Sequence, residues 1–314
     1  MKAHIHIIAT IWLALSLNSC KKSEGELSPS GIIDNYSVPQ GNNTYDQTIV
    51  GYYQKYGTYL LYEFSEKDAY WTPTDWKKPL PGGAGGSWSA GTEVAGSNPE
   101  NIPAQLELLD KSLFQHYPNA FLKTFLPVKI LLCSKVDSVY NTYVFTPVYT
   151  ATKAVKKVPA HYNYDNIAVN YGDATISTMT AAEKLAFLAR VNLVFIQSII
   201  SRGLVKPTSE FINSADYITA MTTQAQAYGK GIILSYSSVN ATADWNAYIT
   251  AMVTYSEADL NKTVVITNTS AVGILNPTKD TTGSIKKRYS IVRNYFIDNY
   301  QVDLQKIGNA SRGL

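Results

Sequence analysis

Apolar residues crowd most densely between Thr180 and Gly203, in the stretch TAAEKLAFLARVNLVFIQSIISRG. Val191, Leu193, Val194, Phe195, Ile196, Ile199 and Ile200 leave almost no polar face, so the helix predicted here is buried on most sides. Thr180 is placed to cap its N-terminus, and Glu183 completes a T-x-x-E capping box. Gly203 sits where a helix C-terminus wants a residue free to take positive φ. A helix of about 22 residues spans roughly 33 Å. It is the predicted core helix.

Other segments are read the same way. Ile49, Tyr52, Tyr53 and Tyr56 recur at helical spacing before Gly57, and Thr58 to Phe64 reads as a strand. Pro73 to Pro103 reads as a long irregular loop, rich in Gly and Pro, in which Gly82-Gly83-Ala84-Gly85-Gly86 lacks the Lys and Ser/Thr of a phosphate-binding loop. A helix is predicted from Pro103 to Tyr117 on the stripe Leu106, Leu109, Leu113 and Phe114. Strands are predicted at Val128–Cys133, Ser138–Phe145 and Asn166–Val169. After the core helix, SADYITAMTTQAQAYGKG predicts a shorter helix, and Trp245, Tyr248, Ile249 and Met252 mark one over Asp244–Tyr255. The last helix carries Ile285, Tyr289, Val292 and Phe296 inward, with Lys286, Lys287 and Arg288 turned outward. Strands mainly precede helices, which predicts an α+β fold with a buried central helix and a small mixed sheet. No internal repeat is visible.

Composition changes the picture at the N-terminus. Residues 1–19 read as a signal peptide: Lys2, an apolar run from Ile7 to Leu17, and then Leu17-Asn18-Ser19-Cys20. That run is too short to span a bilayer. Ser19 is the small residue a signal peptidase needs, and the Cys20 thiol is the expected site of lipidation; an ordinary secretory signal beside an accidental cysteine is the alternative. The polar residues 20–44 read as a tether, and 45–314 as a single domain. Glu24 and Glu26 loosely resemble surface-export signals, or simply solvate the tether. The formal charge of +3, with signs interspersed, gives no indication of nucleic-acid binding.

Few residues are left for chemistry. Without the leader, His116 and His161 are the only histidines and Cys133 the only thiol beyond Cys20. Cys133 lies in an apolar run and reads as a small core residue. His161-Tyr162-Asn163-Tyr164-Asp165 reads as a polar turn between strands, with a sugar or peptide site as the functional alternative. Trp71, Trp76 and Trp88 flank the glycine-rich loop, where they either pin it to the domain or stack on sugar rings.

The order of segments resembles a family, the zinc metallopeptidase lipoproteins of Bacteroidota found beside SusC/SusD-type import systems. The resemblance rests on the lipobox, YDQTIVGYYQKYGTYLLYEF, the central helix followed by PTSEF, and IKKRYSIVRNYFIDNYQVDLQKI. It implies a zincin-like fold whose central helix carries H-E-x-x-H, two histidines one turn apart that hold zinc around a catalytic glutamate. Counting back from Pro207 and Phe211 puts that motif near Phe195, Ile196 and Ile199, give or take a few residues. Between Lys184 and Ser209 there is no His, Glu, Asp or Cys in any register. Where the family's further acidic ligand is expected, only Asp244 is a carboxylate.

The sequence therefore predicts a degenerate member with no cofactor: a non-catalytic outer-membrane lipoprotein, held by its lipid and accessory to a SusC/SusD-type system through substrate or partner binding. Two alternatives stay open. One is an active hydrolase with relocated ligands, in which His161 or His116 converges with carboxylates. The other is a surface glycan-binding lipoprotein using at least two of Trp71, Trp76 and Trp88.

Overall fold

The computed structural model describes residues 36–73 and 78–313. The leader, Cys20 and Trp76 lie outside the described residues. From Val38 onward the polypeptide forms one compact unit.

In sequence order the elements are α1 (Thr44–Tyr56), β1 (Tyr59–Leu61), α2 (Glu66–Tyr70), β2 (Gly91–Gly96), α3 (Ile102–Ser112), α4 (Asn119–Phe125), β3 (Lys129–Val144), β4 (Thr150–Lys157), β5 (Ala160–Asn163) and β6 (Asn166–Val169). The helical half follows with α5 (Ala181–Ser201), α6 (Ser209–Asn213), α7 (Gln224–Gly229), α8 (Ala241–Thr254), α9 (Glu257–Asn261), α10 (Ser284–Tyr300) and α11 (Leu304–Ala310). The fold is α+β with a small mixed sheet and a buried central helix.

The sheet is built on β3. Its first residues, Lys129–Leu132, run parallel to β1 on one side and β6 on the other. Its later residues pair antiparallel with β2 and β4. β5 pairs with β6 in antiparallel register and forms one edge.

The central helix α5 starts as its caps require. Glu183 N donates to Thr180 Oγ1 at 3.2 Å, and Thr180 N donates to the Glu183 carboxylate at 2.8 Å. Gly203, just past its end, takes φ 64°. Phe187, Val191, Val194, Phe195, Ile196 and Ile199 are all buried in the main core. The Phe195 ring meets Tyr117 and Phe121 edge-on at 5.1 and 6.0 Å. Each such side chain stabilises the fold by about 1.5–3 kcal/mol through burial. Gln105, fully buried on α3, donates through Nε2 to the carbonyls of Cys133, Val169 and Asn170, joining β3 to the end of β6.

Several elements differ from the reading of the sequence. The 73–103 segment contains a strand, β2, because Gly91–Gly96 finds a partner in β3. The two strands expected at 128–145 are one, β3, whose polar middle is held by Lys135 and Lys153 reaching Glu93 of β2. His161 belongs to a strand rather than a turn; the turn is Tyr164–Asp165, where Tyr164 takes φ 51°. The short α2 and α4 and the strand β4 were not anticipated, and α7 covers only the end of the segment expected to be helical. Arg288 points inward. Its side chain is fully buried and pairs with Asp244 at 2.8 Å.

Candidate functional site

α5 packs against β5 on one side and α8 on another, and a groove of about 780 Å³ opens where the three meet. Helical spacing decides what faces it. Leu193, Gln197 and Ile200 come from α5, Asn246 and Thr250 from α8, and His161 from β5. Leu193 and Gln197 are four residues apart and project from one face, whereas the intervening Val194, Phe195 and Ile196 are buried in the core. No Asp or Glu lines the groove among the described residues.

Two basic groups stand in this groove. Arg190, about one helical turn before Leu193, donates from Nε to the carbonyl of Ala160 on β5 at 3.0 Å. The His161 imidazole is pushed down to about 4 by burial, with the Arg190 charge adding to the shift. It is neutral near pH 7, and among the described residues no carboxylate lines the groove to orient it.

Asp244 lies on α8 but takes no part in the groove. Its Oδ1 accepts from Ile233 N and Leu234 N at 3.0 and 3.1 Å, and its Oδ2 accepts from the Tyr217 hydroxyl and from Arg288 Nη2 at 3.0 and 2.8 Å. Burial pushes its carboxyl above the ordinary range, while the guanidinium and the two backbone N–H groups pull against that rise. Arg288 Nη1 donates to Phe211 O and Ser214 Oγ at 2.8 and 2.7 Å. Every oxygen of Asp244 is occupied by this network.

Residues 97–305 match a family described as "Putative zinc-binding metallo-peptidase". The protein belongs to that family. A crystal structure titled as a "putative zinc-binding metallo-peptidase" from Bacteroides caccae is similar, with 12% sequence identity, a TM-score of 0.43, and coverage of 86% of this protein and 90% of that one. A comparison with curated proteins gives no match.

The family name implies zinc, and the groove tests whether the residues here fit it. A catalytic zinc site draws three protein ligands from His, Asp, Glu and Cys and leaves one position for water. On the groove face of α5, the positions one turn apart are Arg190, Leu193, Gln197 and Ser201, and on α8 the facing residues are Ala243, Asn246, Ala247 and Thr250. Among the described residues, His161 is the single imidazole lining the groove. These residues do not fit the metal, and among the described residues no group of three or more His, Cys, Asp or Glu is placed to hold one. Phe195, Ile196 and Ile199, where the resemblance would put the motif, face the core; the groove-facing pair was not distinguished in sequence because α5 is apolar nearly all round.

The remaining candidates are scattered. His116 ends a short helical turn after α3 and does not line the groove; burial lowers its pKa. Trp71 is 45% exposed, whereas Trp88 is half-buried under Lys153, whose Nζ sits 4.2 Å from the ring centroid. No ring contact joins Trp71 to Trp88 among the described residues. Cys133 is fully buried, which pushes its thiol well above the ordinary range.

Proposed function

We propose that this member of the metallopeptidase family is a non-catalytic binding protein, and that it acts as a lipid-anchored outer-membrane accessory to a SusC/SusD-type nutrient import system. The observation that carries the non-catalytic reading is the groove face of α5 and α8, which presents Leu193, Gln197, Asn246 and Thr250 and, among the described residues, no Asp, Glu or Cys. An open groove of substrate size persists between α5, α8 and the edge strand β5. Retention of the groove without its chemistry supports binding of a substrate or a protein partner there. The leader of residues 1–19, followed by Cys20, supports the lipid anchor, and the resemblance of the segment order supports the import-system partners.

The test is the metal content of the leaderless protein, purified without chelator and again after loading with zinc and desalting. Well below one zinc per molecule in both preparations is the expected result. Stoichiometric zinc that is lost when His161 is replaced by Gln would overturn the reading and direct attention to a hydrolase with relocated ligands.

A further inference from the structure

The described residues include five arginines, and four of them bring their guanidinium to protein acceptors. Arg202 reaches Leu126 O, Phe125 O and Ser198 Oγ, Arg288 reaches Asp244, Arg293 forms a two-pronged pair with Asp303, and Arg312 approaches Asp259 at 3.6 Å. Arg190 is different. Its Nε is fixed by the Ala160 carbonyl at 3.0 Å, and among the described residues neither terminal nitrogen has an acceptor and no carboxylate lies within ion-pair distance. The side chain is half-buried, so water compensates for that arrangement only in part.

A guanidinium held by Nε and free at both ends presents a planar fork, the geometry that carboxylates fill with two parallel hydrogen bonds. Among the described residues, no competing acid lines the groove around it. Ala160 opens β5, so the fork stands beside the first residue of an edge strand, where an extended segment can lie along the backbone. We infer that Arg190 makes this groove a receptor for a carboxylate carried by a peptide, either a free C-terminus or an Asp or Glu side chain. The inference rests on the groove being a binding site, as proposed above, and names the ligand chemistry it selects. His161, next to the fork, reports occupancy, because a bound anion offsets the Arg190 charge that bears on its ring.

The experiment titrates the leaderless protein, which keeps the whole Val38–Leu314 unit, with three probes while the His161 ring signals are followed by NMR. The probes are N-acetyl-trialanine as the free acid, the same peptide as its amide, and N-acetyl-Ala-Glu-Ala amide. The free acid is expected to bind at least about tenfold more tightly than the amide. Arg190→Gln should abolish that preference. If the Glu-containing amide equals the free acid, the carboxylate is read from a side chain; if only the free acid gains, it is read from a C-terminus. Equal binding of acid and amide overturns the inference while leaving groove binding intact, and a preference that survives in Arg190→Gln overturns the assignment to this residue. Absence of binding by all three probes overturns it as well, independently of the zinc measurement. Should Arg190→Gln fail to fold, Arg190→Lys retains the charge without the fork, and the comparison of acid with amide in the parent protein stands alone.

Discussion

Replacing Arg288 by Met separates two views of the last long helix. Read from its local sequence, Lys286-Lys287-Arg288 is a solvated basic face, and loss of one charge there shifts stability by no more than about 0.5 kcal/mol. In the structure Arg288 is fully buried, donates to Asp244, Phe211 O and Ser214 Oγ, and lies with its guanidinium carbon 3.7 Å from the centre of the Phe211 ring. Truncating it strands the Asp244 carboxylate in the interior and leaves a buried carbonyl without its donor. Breaking a buried pair from one side costs about 3–5 kcal/mol, a large part of the 5–15 kcal/mol typical of a whole domain. At about 2–4 °C per kcal/mol for a domain approaching this size, the melting temperature should fall by roughly 6–20 °C. Urea unfolding followed by circular dichroism measures the loss, with Lys287→Met as the exposed neighbour. Adding Asp244→Leu to Arg288→Met should recover part of it, because the stranded charge disappears. An Arg288→Met protein within about 0.5 kcal/mol of the parent would refute the buried network.

Two further outcomes are expected. His161 titrates at about 4 in the folded protein against the ordinary 6.5, so its contribution is complete above pH 6.5 and is lost as the pH falls to about 4, by at most about 3 kcal/mol; between about pH 7 and pH 4.5 the urea midpoint of the parent should drop further than that of His161→Gln, and parallel loss in both proteins counts against the assignment. Gly308 brings α11 onto the end of α8, where an added Cβ would lie 2.0 Å from Met252 O and 2.4 Å from Tyr255 O. Gly308→Ala should therefore cost about 2 kcal/mol or more, while Gly51→Ala, on the open face of α1, should be neutral or stabilising by up to about 1 kcal/mol; thermal melts read both.

What the sequence carried well were features with local causes. The capping box at Thr180 and Glu183 and the stop at Gly203 bounded α5 correctly, and the apolar stripe of Trp245, Tyr248, Ile249 and Met252 placed α8. Features that depend on distant partners were lost. β5 has no alternating apolar pattern and is a strand because β6 folds back along it. Arg288 reads as surface because its acid is on another helix, 44 residues earlier in the sequence. Its spacing from Ile285 and Val292 did hold a signal, since three and four residues separate them on a single face. The groove was hidden for a different reason. α5 is apolar on nearly every side, so periodicity could not say that Leu193 and Gln197 face the opening while Phe195 and Ile199 face the core.

The two acid–base facts of the helical half point the same way. Asp244, the one acid on α8, is consumed by Arg288 and two backbone N–H groups, which leaves the α8 wall of the groove uncharged. Arg190 then sets the sign of the groove, and its charge acts on whatever enters. A divalent metal would meet repulsion there, together with one neutral imidazole as its sole nitrogen ligand. A hydrolase without metal would need a base held by a second group, and His161 has no such partner among the described residues. An anion meets neither obstacle, because the half-buried guanidinium already carries the desolvation cost that a carboxylate would offset. The charge that remains in the groove therefore favours ligands of the opposite sign from a metal ion.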